Sequence, residues 1–191
     1  MLDLPKKIIV FDTEFTAWPG SQERNWGAPG EYKEIVQIGA VKIETENFVE
    51  TDSLDIFIRP QLNPILSDYF ITLTGISQKT VDKNSVDFPA AIKQFSSWSQ
   101  LLNLYSFGGD EEELEENCKL LKIAFPFERL RFFDVRDVFK KFGIPAEEYN
   151  SGTIVRAFGK EISRPPHNAL NDARTIVDGL REIAFKAAGN K

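Results

Sequence analysis

Apolar residues come first in short unbroken runs and later at three- and four-residue intervals, so the chain reads as strands followed by helices mixed with further strands. The run Lys7-Ile8-Ile9-Val10-Phe11-Asp12 is β-branched and apolar on both faces, the pattern of a central strand covered by helices on either side. A second strand is predicted over 34–44. A third is predicted over 54–59, where Leu54, Ile56 and Ile58 alternate with Asp55, Phe57 and Arg59. Residues 17–33, between the first two strands, are rich in Gly, Pro and polar side chains and show no period. They predict a long loop, of a length that is uncommon unless it carries function or disorder.

The middle of the chain predicts two short helices, near 66–73 and 77–82, and a better-defined one from 87 to about 102. In the latter, Phe88, Ala91, Ile92, Phe95, Trp98, Leu101 and Leu102 form one apolar stripe. A fourth strand at 104–107 is broken by Gly108-Gly109, and Asp110 opens a helix toward 124. A short strand near 130–133, a helix over 134–142 and a helix around 153–158 follow. The last helix begins after Pro165-Pro166 and runs to about 187, with Leu170, Ala173, Ile176, Val177, Leu180, Ile183 and Ala184 on one side. No repeat or linker divides the chain. The expectation is one α/β domain over 1–191, with its core at about 7–187 and a mixed sheet.

Composition narrows the function. The 23 basic residues against 29 acidic ones leave a net charge of −6, so no broad basic surface exists to hold a long duplex, and any nucleic-acid contact must be local. One cysteine, Cys118, and one histidine, His167, cannot make an intrachain disulfide or a zinc-finger ligand set; a reducing, cytoplasmic setting is expected. The apolar run 8–11 is shorter than the roughly 7–15 residues of a signal core or the ~18 of a membrane span, so neither export nor membrane insertion is expected.

The chemistry collects in three places. Asp12 and Glu14 stand two apart at the end of a hydrophobic strand, so both carboxylates project from one face, and like charges that close raise each other's pKa unless a cation sits between them. Hard divalent ions prefer such oxygen ligands; the alternative is that Asp12 caps a turn and Glu14 faces solvent. Asp110 also follows a strand and opens a helix, either as a site residue at the carboxyl end of the sheet or as the first half of an Asp110-x-x-Glu113 capping box. The third cluster is His167-Asn168-Ala169-Leu170-Asn171-Asp172-Ala173, where Asp172 borders the stripe that packs on the sheet and His167 is either structural or catalytic.

In this order, Phe11-Asp12-Thr13-Glu14-Phe15-Thr16, Ser106-Phe107-Gly108-Gly109-Asp110 and the His167 to Ala173 segment resemble the motifs of the DEDDh group of DnaQ-like 3′-to-5′ exonucleases. Ile58-Arg59-Pro60, Leu66-Ser67-Asp68 and Leu73-Thr74-Gly75-Ile76-Ser77 look like the Eri1/KapD branch, which trims RNA 3′ ends. The resemblance implies a ribonuclease H-like fold, a mixed five-stranded sheet flanked by helices. It also implies hydrolysis that releases nucleoside 5′-monophosphates from the 3′ ends of single-stranded or overhanging RNA or DNA, RNA preferred, with two Mg²⁺ or Mn²⁺ as cofactors. It makes Asp12, Glu14, Asp110 and Asp172 the metal ligands, Glu14 and His167 catalytic with His167 as general base, and Glu14, Phe15, Leu73 and His167 the substrate contacts. The second motif departs from the pattern: Gly109 stands where the branch has an aromatic residue, and Asp110 is preferred to Glu111 because Leu114 would then turn inward. A protein of the same fold that binds nucleic acid or serves as a scaffold without hydrolysing it is the alternative. Phe15, Trp18 and Trp26 would stack bases, or the two tryptophans would instead pin the long loop.

Overall fold

The computed structural model describes residues 2–189. Its centre is a five-stranded sheet of order β3-β2-β1-β4-β5, with β1 Lys7–Phe15, β2 Ile35–Glu44, β3 Val49–Phe57, β4 Asn103–Ser106 and β5 Phe132–Asp134. The first three strands are antiparallel and β4 and β5 run parallel to β1, so the sheet is mixed, as expected. Among the described residues six α-helices accompany it: α1 Asp68–Thr74, α2 Gln78–Asn84, α3 Phe88–Ser99, α4 Asp110–Leu120, α5 Arg136–Lys141 and α6 Ala169–Gly189.

Strand alternation sorts the core into two layers. Ile8 and Val10 of β1 and Val41 and Ile43 of β2 face α5 and α6, where Phe139, Ala173, Ile176, Val177, Leu180 and Ile183 are buried. Ile9, Phe11, Ile38 and Ala40 face the other way, onto α3 and α4, with Phe95 and Leu114 fully buried. Caps set several boundaries. Asp87 accepts from Ala90 N at the start of α3, and Gln100 turns to a φ of 52° just beyond its end, so the helix stops short of the expected 102.

Four expectations are corrected. The third strand begins at Val49, not 54, because pairing with β2 continues along an exposed edge whose Glu50, Thr51 and Asp52 carry no apolar signal. The helix opened at Asp110 ends at Leu120, and Lys122 follows at a φ of 55°. The segment around 153–158 is a 3-10 turn, Ile154–Phe158, and Leu130 lies in another such turn rather than in a strand. Among the described residues no helix is long and apolar enough to cross a membrane.

Candidate active site

β1 outlasts its hydrophobic run: it pairs with β2 as far as Phe15, so Asp12, Thr13 and Glu14 are strand residues. Asp12 lies opposite Gly39 and Glu14 opposite Gln37, on the face that Ile8 and Val10 present to α6. The first turn of α6 brings Asp172 onto this face. Oxygens of Asp12, Glu14 and Asp172, all buried, lie within 4.8 Å of one another.

Asp110 arrives from the opposite layer. It is the first residue of α4, and its Oδ1 accepts from Thr13 N at 3.1 Å and from the Thr13 hydroxyl at 2.6 Å. Thr13 points toward α4, so the helix end is hooked onto β1 between Asp12 and Glu14. The capping box does not form: Gly109 takes the N-cap place, no side chain caps α4, and Glu113 pairs with Lys33. Glu111 is surrounded by Arg129, Glu112 and Glu115 instead, and Leu114 is fully buried beneath the helix.

Burial is the main cause of the electrostatic state of all four carboxyls, each of which keeps its proton above the ordinary carboxylate range. Asp12 is raised by burial and then by Asp110, Asp172 and Glu14. Glu14 is pushed up to about 8 by burial, with Asp172 and Asp110 adding repulsion. Asp172 is pushed up to about 7, opposed by hydrogen bonds from His167 N and Ser151, and Asp110 to about 6, opposed by the two Thr13 bonds.

Asp172 Oδ2 accepts from His167 N at 3.2 Å and Ser151 Oγ at 3.3 Å, while Oδ1 is buried without any hydrogen-bond partner. A Cβ on Gly152 would lie 2.6 Å from that Oδ1, so the glycine keeps the space beside it open. An orphaned buried oxygen, an open space and an all-carboxylate donor set fit a hard divalent cation.

Without metal, these four acids make the stability of the protein depend on pH. Carboxyls whose folded pKa is raised favour folding below their unfolded value, near 4, and lose that contribution as pH rises toward the folded values of about 6 to 8. The melting temperature is therefore expected to fall by about 5 °C or more between pH 6 and pH 8, and millimolar Mn²⁺ should restore most of it at pH 8. A flat profile in differential scanning fluorimetry, unmoved by Mn²⁺, would contradict the cluster's repulsion.

His167 sits just before α6 in the left-handed region, at a φ of 59°, an uncommon conformation for a side-chain-bearing residue that concentrates at functional sites. It is half-buried, burial lowers its pKa below the ordinary value, which favours the neutral imidazole, and its backbone N–H ties it to Asp172. The turn that carries it is docked from β2: Gln37 accepts from Ala169 N, and at Gly39 the α6 backbone comes so close that a Cβ would meet Leu170 N at 2.0 Å. Phe15 packs edge-on against Trp26, whose indole donates to Thr16 O at 2.8 Å, and Lys33 lies over both rings. Trp26 thus pins the long loop. Trp18 is half-buried with its backbone N–H on Ser21 Oγ, and Leu73 is exposed on α1, whose N-cap Ser67 donates to Ala17 O.

Sequence reasoning passed over Thr13, Gln37, Gly39, Ser151 and Gly152. A glutamine inside the apolar run Ile35-Val36-Gln37-Ile38 is a signal, since a buried amide needs partners, and Gly39 in a strand hints at close backbone approach. Nothing in the sequence around Ser151 marks it.

The RNase T family profile, described as exonuclease, matches residues 9–180. The Homo sapiens 3'-5' exoribonuclease 1 is 27% identical over 182 residues, covering 89% of this chain and 50% of that protein. The 3'-5' exonuclease eri1 of Schizosaccharomyces pombe is 26% identical over 174 residues, covering 86% of this chain and 57% of its own. The chain spans about half the length of these relatives. Among solved structures, the nuclease domain of 3'hExo, a DEDDh family member bound to rAMP, shares the fold at a TM-score of 0.78 and 24% identity, over 97% of this chain and 92% of that one. A 3'-exonuclease solved in 3'-end specific recognition of histone mRNA stem-loop gives 0.76 and 21%, over 98% and 84%.

Proposed function

Because this chain belongs to the exonuclease family whose profile spans most of it, we propose that it removes nucleotides one at a time from the 3′ end of single-stranded or overhanging RNA, by divalent-metal-dependent hydrolysis. The observation that carries this reading is the convergence of Asp12, Glu14 and Asp172 within 4.8 Å at the end of β1, with Asp110 hooked in through Thr13. RNA is favoured over DNA because the relatives are named as exoribonucleases and one neighbouring structure holds rAMP. The net charge of −6 argues that few nucleotides are gripped at once.

In this reading Asp12, Glu14, Asp110 and Asp172 hold two Mg²⁺ or Mn²⁺, which when bound supply positive charge to both ends of an in-line phosphodiester displacement. The chain's own residues do the rest. His167, kept neutral by burial, accepts the proton of the attacking water at an imidazole nitrogen. The β1 end at Glu14 and Phe15 meets the terminal nucleotide, and Leu73 on α1 lines the approach.

The test is a 5′-labelled single-stranded RNA incubated with Mn²⁺ or Mg²⁺, with EDTA as control. A ladder of 3′-shortened products that EDTA removes is expected, and His167→Ala should lower turnover about 10²-fold or more while Mn²⁺ binding survives. An intact substrate in every lane would favour a binding or scaffold role on the same fold. Unchanged turnover in the histidine variant would remove His167 from the mechanism.

A further inference from the structure

We propose that Gln37 is a positioning residue of the reaction site: together with Asp55 it docks the first turn of α6 on the sheet and so sets where His167 and Asp172 stand relative to Asp12 and Glu14. What is positioned rests on the exonuclease reading above; how it is positioned rests on geometry.

Gln37 is wholly buried, and both ends of its amide are used. Its Nε2 donates to Asp55 Oδ1 of β3 at 2.8 Å, and its Oε1 accepts from Ala169 N at 3.0 Å. That N–H belongs to the first turn of α6, whose leading donors have no partner within the helix and must find one outside it. The amide's orientation has no freedom, since a carboxylate only accepts and a backbone N–H only donates. Gln37 therefore reads both neighbours at once.

The bridge extends past the amide. Asp55, exposed on the edge strand, feels the Arg174 guanidinium, which itself makes a two-bond pair with Glu50 at 2.9 and 2.8 Å. Edge strand, second strand and helix are thus tied in sequence, and the tie lies directly across from Glu14 in the β1–β2 register. His167 precedes the docked Ala169 by two residues and Asp172 follows it by three, so both ride on that turn. Gly39, next on the same face of β2, allows the close seat that the hydrogen bond holds.

The bridge can be reversed chemically, and that is its test. Gln37→Glu keeps an acceptor for Ala169 N but sets a second carboxylate against Asp55; adding Asp55→Asn supplies the N–H donor that the new acid needs. We would measure amide exchange at Ala169 in the metal-free protein, and kcat and KM on the labelled RNA at pH 8. In Gln37→Leu, exchange at Ala169 should accelerate at least tenfold, and kcat should fall about 10²-fold with KM little changed, the signature of misplaced groups rather than weaker substrate binding. Gln37→Glu alone should show both defects, and Gln37→Glu with Asp55→Asn should bring both within about threefold of the parent.

A folded Gln37→Leu with normal exchange and kcat would overturn the proposal, as would a double variant no better than Gln37→Glu. A parent protein without hydrolysis would overturn the exonuclease reading instead, and the exchange rates alone would then decide the docking.

Discussion

Replacing Asp12 by asparagine is expected to abolish metal-dependent release of nucleotides while making the metal-free protein more stable at pH 8. Both effects have one cause. Asp12 is buried at the centre of the acidic group, and its charge is opposed first by lost hydration and then by Asp110, Asp172 and Glu14. An amide of the same shape removes that repulsion, so the melting temperature at pH 8 without metal should rise by about 3 °C or more. The same substitution takes away one of the oxygens gathered within 4.8 Å, and hydrolysis with Mn²⁺ should fall by about 10³-fold or more. Stabilisation by added Mn²⁺ should shrink in parallel. Asp137, an exposed acid on α5, is the control: Asp137→Asn should change neither quantity. An Asp12→Asn protein that melts lower than its parent would show that the acids do not repel one another as described, and one that still shortens RNA would show that Asp12 is not needed to hold the metal.

Gly39→Ala is expected to be the most damaging single methyl in the molecule. Its Cβ would fall 2.0 Å from Leu170 N, 2.3 Å from the Ala169 carbonyl carbon and 2.5 Å from Leu170 Cα, all backbone atoms that no rotamer change can move aside. The start of α6 must lift away from β2, breaking the Gln37 bond to Ala169 and carrying His167 and Asp172 with it. A loss of about 3 kcal/mol or more is expected, seen as a fall in melting temperature of about 6–12 °C, together with loss of turnover at temperatures where the protein is still folded. Gly109→Ala makes the comparison. There the added methyl meets only the flexible Glu112 carboxylate, at 3.3 Å, and stability should change by no more than about 0.5 kcal/mol. Equal tolerance of the two alanines in urea or thermal unfolding would mean that α6 does not depend on its close seat.

Much of this molecule was legible in the order of its residues. The strand at Ile8 to Phe11 and the stripe of the last helix follow from local periodicity, because burying one face of a strand or helix demands a repeat that neighbours in sequence can supply. That Asp12 and Glu14 share a face follows from the same alternation, and the place of Asp172 beside the buried stripe follows from helical spacing. Tertiary structure decided how these parts meet. Asp110 joins the acids only because Thr13, 97 residues earlier, holds its carboxylate across from the other layer; its own sequence surroundings favoured a helix cap. The seat of His167 depends on a bond between Gln37 and Ala169 spanning 132 residues, and on a glycine whose importance lies in what approaches it. The orphaned oxygen of Asp172 depends on Ser151 and the His167 N–H taking its partner. Period and propensity act over a few residues, whereas strand register and layer packing choose which distant groups share a space, and in this chain the charges that share one are what the chemistry is made from.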